Sequence, residues 1–284
     1  MTTTRQLQER FFADLQDQCA HPAKHHYVML SGGVDSFVLL CAVLRNHDPA
    51  DVTALIIRSR NTEDYRKALQ AAQWAGVQTR TITVTLQTIL DNRHFVHGTE
   101  DRSVFQAMFR ISTECLLTGL NLNGCAVYQG DGADSLYGNQ SPFLYRAANT
   151  RAEQDGITPQ EAKELLRREW RYKKRNGFGI STAKIIGEVI RAHEATAVQP
   201  YINPLFDYVM DVPLTAFQGD KKTWVKDGLV RQYGVPAGIA YSRKRCSMQE
   251  GTGLYELLQD ELKIAYNVTN ANDAIKQIAA GVTV

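Results

Sequence analysis

The amino-acid sequence predicts an α/β protein: a doubly wound parallel sheet with a helical C-terminal portion. Three observations predict it. Apolar β-type runs alternate with helix-type segments through the first half, and strands separated by helices run parallel because the chain must cross over between them. A small-residue loop, Ser31-Gly32-Gly33-Val34-Asp35-Ser36, joins the first apolar run to an apolar helix. A second Gly- and Asp-rich turn, Gly130-Asp131-Gly132-Ala133-Asp134-Ser135-Leu136-Tyr137-Gly138, follows the fourth strand directly. Ligands of such sheets sit outside the carboxyl ends of the strands, and both turns fall at that edge.

The elements follow in order. Leu7, Phe11, Phe12 and Leu15 recur at helical spacing and predict a first amphipathic helix. Tyr27-Val28-Met29-Leu30 is the first strand, and Phe37 to Leu44 is the helix beyond the loop. Val52 to Ile57 is the second strand. A helix follows from Thr62 to Ala75, with Leu69 and Ala72 on its apolar side and Gly76 placed just past its end, where glycine stops a helix. Gln78 to Thr85 carries alternating β-branched residues, a third strand. Ser103 to Leu120 reads as a helix, apolar at Phe105, Met108, Phe109, Leu116 and Leu117. Cys125 to Gln129 is the fourth strand. Beyond it no segment reads convincingly as a strand, and 159–174, 184–194, 222–233 and 253–266 read as helices. This divides the chain into an α/β core over 1–145 and a helical portion over 146–284 that completes the site, the two together being compatible with one continuous domain.

The length of 284 residues suits one large domain or two modest ones, and 44% apolar with 22% charged residues is an ordinary globular composition. A net charge of +2 gives no bulk pull toward nucleic acid or membrane. No apolar run approaches the ~20 residues of a membrane span. Met1 to Ala20 holds acidic residues and no long apolar core, unlike a secretory signal. Cys19, Cys41, Cys115, Cys125 and Cys246 are odd in number and scattered, with no Cys-x-x-Cys pair, which argues against a zinc or iron–sulfur site and leads to the expectation of a cytoplasmic protein. His94 and His97 lack the partners of a metal site; with Arg93 they are candidates only for an active-site loop.

The chemistry begins with the first loop. Its glycines let the backbone turn tightly, the amides at the helix start point at a ligand, and the helix dipole adds roughly half a positive charge there. Ser31 and Ser36 are hydroxyl donors, and Asp35 is a candidate ligand for a cation that neutralises phosphate oxygens. The spacing is too short for a Walker A loop, and no Gly-Lys-Ser/Thr follows. The loop resembles the Ser-Gly-Gly-x-Asp-Ser pyrophosphate loop of the N-type ATP pyrophosphatases (PP-loop enzymes). The resemblance implies cleavage of ATP between its α and β phosphates, with AMP left on a substrate.

In the second turn, Asp131 and Asp134 stand three residues apart and can meet Asp35 from another strand end. With the second turn the chain is similar to the C-terminal synthetase domain of asparagine synthetases and their relatives, the β-lactam synthetases among them. That family follows the loop with Gly-Glu-Gly-x-Asp-Glu-(x)-(Phe/Tyr)-Gly. Asp131 stands where the family has Glu, one carbon shorter; Asp134 matches its magnesium-binding Asp; Ser135 replaces its second Glu. Asn203-Pro204-Leu205-Phe206-Asp207 is similar to its Arg-x-Pro-Phe-Leu-Asp stretch, with Ile202 at the Arg position. A last match runs from Lys221 to Lys226 and on through Tyr241-Ser242-Arg243-Lys244-Arg245 to Glu250-Gly251-Thr252-Gly253. The family's catalytic Lys corresponds to Lys244 by residue type and to Arg245 by ungapped spacing. The resemblance covers roughly residues 5 to 255.

The resemblance implies a Rossmann-like, adenine nucleotide alpha hydrolase-like fold and an ATP-dependent, amide-forming ligase. It implies ATP on Ser31, Gly32, Gly33, Val34, Asp35 and Ser36, with Gly130 and Gly132 nearby and adenine against the second strand end at Ile57 and Ser59. Mg2+ would lie on Asp35 and Asp134, with Lys244 and Arg245 at the developing pyrophosphate charge and Asp131 at the amine. The chain starts Met1-Thr2 and reaches the loop by residue 31, so no glutaminase domain is expected. Nitrogen is then expected from free ammonia, a separate amidotransferase subunit, or an amine of a substrate. Two further readings stay open. The basic, aromatic stretch Arg167-Arg168-Glu169-Trp170-Arg171-Tyr172-Lys173-Lys174-Arg175 suits an enzyme of this loop class acting on tRNA or a nucleotide base. The departures at Asp131 and Ser135 suit an inactive nucleotide-binding scaffold.

Overall fold

In the computed structural model, residues 3–101, 103–133, 136, 142–175, 181–212, 216, 223–241 and 254–284 are described. Five strands, β1 His26–Met29, β2 Val52–Arg58, β3 Gln78–Thr83, β4 Ala126–Tyr128 and β5 Thr196–Val198, form one sheet in the order β3-β2-β1-β4-β5. Every pairing is parallel, with His26 opposite both Val52 and Ala126. Side chains alternate across β2: Val52, Ala54 and Ile56 enter one apolar layer, Leu55 and Ile57 the other. Helices cover both faces, so the doubly wound α/β class expected from the sequence is the observed one.

One layer holds α1 (Thr4–Gln18), α2 (Val34–Leu44), α3 (Glu63–Ala75) and, from far along the chain, α9 (Thr223–Tyr233). Thr3 and Gln6 close a capping box on α1. Thr62 caps α3 by accepting from the Tyr65 amide, and Gly76, at φ 68°, ends it in the left-handed conformation that glycine adopts freely. The other layer holds α5 (Val104–Leu117), α8 (Ser181–Ala192), α11 (Leu254–Ala265) and α12 (Ala271–Ala279). Short α4 (Leu86–Asp91), α6 (Pro142–Asp155), α7 (Pro159–Arg175) and the single turn α10 (Ala237–Ala240) complete the described helices. Among these, α4, α6, α10 and α12 had no counterpart in the sequence reading. Among the described residues no helix is long and apolar enough to cross a membrane.

One expectation is overturned. The second half does contain a strand: β5 pairs with β4, and the Gln129 amide donates to the Val198 carbonyl at 3.1 Å. Three residues between a helix end and Pro200 carry no readable period, and an edge strand this short is placed by its neighbour rather than by its own propensity. The portion beyond residue 145 thus contributes directly to the sheet.

The seam between α1 and α9 is closely made. Trp224 Nε1 donates to the Thr4 carbonyl at 3.2 Å, Gln8 Nε2 donates to the Trp224 carbonyl, and Arg231 donates to Gln8 Oε1 at 2.7 Å. Gly228 lies so near Phe12 that a Cβ there would be 2.0 Å from the ring. At the amino edge of the sheet, His26 stacks on His47 with ring centroids 3.6 Å apart, and its Nδ1 meets the Tyr128 hydroxyl at 3.1 Å.

Candidate active site

The chain adds β2 and β3 on one side of β1, then crosses back to place β4 on the other. The loops leaving β1 and β4 therefore diverge from adjacent strand ends, which is the crevice where open α/β sheets bind ligands.

The first loop is shaped by Gly32. Its φ is 84°, and a Cβ there would sit 2.1 Å from the carbonyl oxygen of Asp64 in the first turn of α3. Both conformation and space thus require glycine. Gly33 is the N-cap of α2 and, being glycine, supplies no side-chain cap, so a helix start lies at the loop. Ser31 and Ser36 brace the loop: their hydroxyls are 3.1 Å apart, the Ser31 amide donates to Ser36 Oγ at 3.2 Å, and Ser36 Oγ donates to the Gly33 carbonyl at 3.2 Å. Val34 is buried, while Asp35 in the same turn is half-buried. A helix start with its amides and dipole, and two hydroxyls beside it, together suit an anion.

The second loop touches the first. A Cβ on Gly130 would lie 3.4 Å from the Ser36 amide nitrogen and 3.6 Å from the carbonyl carbon of Asp35. Beyond it the Asp131 amide donates to Gln129 Oε1 at 2.7 Å, and Asp131 Oδ2 accepts from Thr182 Oγ1 in the first turn of α8. Gly132 has φ 94°, and a Cβ there would meet Ile202 Cγ2 at 2.6 Å. The segment after β5 closes the group. Tyr201, buried, donates its hydroxyl to the backbone carbonyl of Asp35 at 2.9 Å. The Asn203 side chain caps the turn Pro204–Asp211 through the Leu205 amide, and Phe206 is wholly buried against Phe11.

Ser31, Gly32, Gly33, Val34, Asp35, Ser36, Gly130, Asp131 and Gly132 are therefore brought to one place. Ile57 and Ser59 stand at the carboxyl end of the neighbouring strand β2, the Ile57 side chain buried in the apolar layer and Ser59 half-buried just past the strand. Asp134, Ser135, Lys244, Arg245 and Cys246 lie outside the described residues, as do the side chains of Arg167, Arg168 and 170–175. His94 lies in the turn Arg93–Val96, its Nδ1 3.2 Å from the Asp91 carbonyl, and Gly98 beyond it donates to the Ala279 carbonyl at 2.9 Å. That turn packs on α5 and α12. Sequence reasoning missed Thr182, Tyr201 and the side chain of Gln129. Tyr201 precedes the Asn203-Pro204 match by two positions, which is the one signal that pointed its way.

A model of the asparagine synthase family matches residues 23–245. The chain belongs to the asparagine synthase family. The match takes in both loops and the segment from Tyr201 to Asp207. For this family member the general reading is an ATP-using amide ligase with a pyrophosphatase-type loop. No curated protein matches the chain. Among solved structures, NMN synthetase from Francisella tularensis is 16% identical, with a TM-score of 0.36, over 70% of this chain and 99% of that one. The NH3-dependent NAD synthetase from Campylobacter jejuni subsp. jejuni NCTC 11168, in complex with the nitrate ion, is 17% identical, with a TM-score of 0.36, over 76% of this chain and 96% of that one.

Proposed function

We propose that this protein adenylates a substrate carboxylate with ATP, releases pyrophosphate, and transfers the acyl group to ammonia or another amine. The observation that carries the reading is the contact between the two loops: Gly130 lies against the first turn of α2, which carries Asp35 and Ser36. The triphosphate is received on Ser31–Ser36, where amides and the α2 dipole offset its charge. Asp35 is a carboxylate in the first turn of α2, an oxygen donor that fits a hard divalent cation; with Asp134 it would hold Mg2+. Bound there, magnesium would neutralise charge on phosphate oxygens.

The substrate carboxylate attacks the α phosphorus and the bond to the β phosphate breaks. Lys244, with Arg245 beside it, meets the charge that develops on the leaving pyrophosphate, since fixed donors in a water-poor site stabilise such charge most effectively. The amine then attacks the acyl carbon, AMP leaves, and Asp131 takes the proton that the nitrogen loses. Ile57 and Ser59 border the nucleotide at the end of β2, and Gly130 and Gly132 keep the second loop close to it.

The test is release of pyrophosphate and AMP from ATP and magnesium with a panel of carboxylates, aspartate first, with and without ammonium. Release that requires one acid, and a product that requires ammonium, is the expected result. Asp35→Ala, folded by circular dichroism, is expected to abolish release. Wild-type turnover in that variant would remove the cation assignment, and silence of the wild-type protein with every acid would remove the ligase reading.

A further inference from the structure

Asp131 sits between two glycines, where a backbone is least restrained, yet it is held at two points. Its amide is taken by Gln129 Oε1 at 2.7 Å, and its carboxylate by the Thr182 hydroxyl. Both partners are buried: Gln129 is 1% exposed and Thr182 6%. Gln129 continues β4 and belongs to the second loop itself. Thr182 comes from elsewhere. It lies in the first turn of α8, fifty-one positions downstream, and α8 packs on α5 and leads into β5. The carboxylate is thus fixed to a helix anchored in the far apolar layer, at the end of that helix where the dipole favours negative charge.

This tether answers the shortened side chain. Asp reaches one carbon less far than Glu and has one torsion fewer, so its oxygens travel with the backbone. A carboxylate offers about four lone-pair positions, so a bond from a hydroxyl can set its orientation while the group still serves as a proton acceptor. A proton acceptor must lie within hydrogen-bond reach of the proton it removes, and its orientation has to be set before the nucleophile arrives.

We propose that Thr182 is a positioning residue for the second half of the reaction, aiming the Asp131 carboxylate at the incoming amine; this rests on the ligase reading above. In that step the amine nitrogen forms its bond to the acyl carbon and the bond from that carbon to the AMP oxygen breaks. AMP leaves with the electron pair, and one proton passes from nitrogen to Asp131. The first half, in which carboxylate and ATP exchange with acyl-adenylate and pyrophosphate, makes no use of Asp131 and none of Thr182.

The experiment separates the halves. Isotope exchange between pyrophosphate and ATP, dependent on added acid (aspartate and then the wider panel), reads the first half. AMP-linked amide formation with ammonium reads the second. Thr182→Val keeps the volume and removes the hydroxyl; Thr182→Ser keeps the hydroxyl. Thr182→Val is expected to leave exchange within about twofold and to lower amide formation by about tenfold or more, with Thr182→Ser restoring most of it. The limiting rate at saturating ammonium is expected to carry the loss. Equal losses in both halves, or no loss in either, would overturn the proposal while leaving the ligase reading intact. Absence of exchange in the wild-type protein with every acid would overturn the ligase reading and the proposal with it.

Discussion

The phenolic oxygen of Tyr201 lies 2.9 Å from the backbone carbonyl of Asp35 and donates its proton to it. Tyr201 comes from the turn after β5 and Asp35 from the first turn of α2, which follows β1, so the bond between their loops reaches across the end of β4, the strand that lies between. Ile202, the next residue, fills the space that Gly132 leaves open. One turn therefore touches both loops of the site.

Tyr201→Phe removes only that hydroxyl. The expected cost is about 1 kcal/mol, the usual net value of a buried hydrogen bond. A urea titration should show a lower midpoint with an unchanged slope. Pyrophosphate release should fall more than this small loss of stability explains, because the first turn of α2 is no longer held from the side of β5.

The two glycines of the first loop should respond differently. Gly32→Ala forces a side chain onto a φ of 84° and into the Asp64 carbonyl, and should cost about 2–4 kcal/mol. Gly33 has φ −71°, and an added Cβ would meet only Ser31 Oγ at 3.4 Å. Gly33→Ala should therefore change stability by less than about 1 kcal/mol. Thermal unfolding of both variants under one buffer checks the contrast, and equal losses would contradict it.

Gly228→Ala sets two effects against each other. Alanine gains about 1 kcal/mol of helix propensity over glycine. The new methyl would collide with Phe12, whose ring is already flanked by Phe11 at 5.3 Å and Tyr233 at 5.2 Å and has little room to turn aside. Overpacking of a core costs about 1–3 kcal/mol, so the net change should be a loss. Phe12→Leu in the same background should recover part of it, which denaturant titration of the pair would reveal.

His26 makes stability depend on pH. Burial, and the neighbouring imidazoles of His47, His25 and His21, push its pKa down from 6.5 to about 4, against a smaller opposing pull from Asp51. The unfolded chain then binds a proton that the folded one refuses. This contribution to stability is complete above pH 6.5 and is lost as pH falls from there toward 4. Unfolding midpoints should drop across that window, and His26→Gln should flatten the drop. A slope unchanged by the substitution would assign the effect to other groups.

The parts legible in the sequence were those set by local chemistry. Glycine and serine between an apolar strand and an apolar helix marked the first loop, and Thr62 and Gly76 marked both ends of α3. β5 was illegible because three residues hold no period and take their place from β4. Thr182 and Tyr201 were illegible for the same reason: each reaches the site only because β5 and its flanking segments come alongside β4. α6 carries mostly small and polar residues with no clear apolar stripe, and α12 does carry one, Ala271, Ala274, Ile275, Ile278 and Ala279, but over only nine residues, three of those five positions being alanine. For Asp134, Lys244 and Arg245, the sequence match remains the basis of their assignment.

The seam between α1 and α9 has a consequence for how the protein is made. The Gln8 side chain bonds to the carbonyl of a residue 216 positions downstream. At a translation rate of about 5–20 residues per second, the ribosome needs on the order of 10–40 s to reach it. For much of that interval Leu7, Phe11, Phe12 and Leu15 stand outside the exit tunnel without α9, one of the helices that will cover them. The nascent chain thus presents a sticky amphipathic segment for most of its synthesis, and its yield in the cell should depend on chaperones that shield such segments cotranslationally.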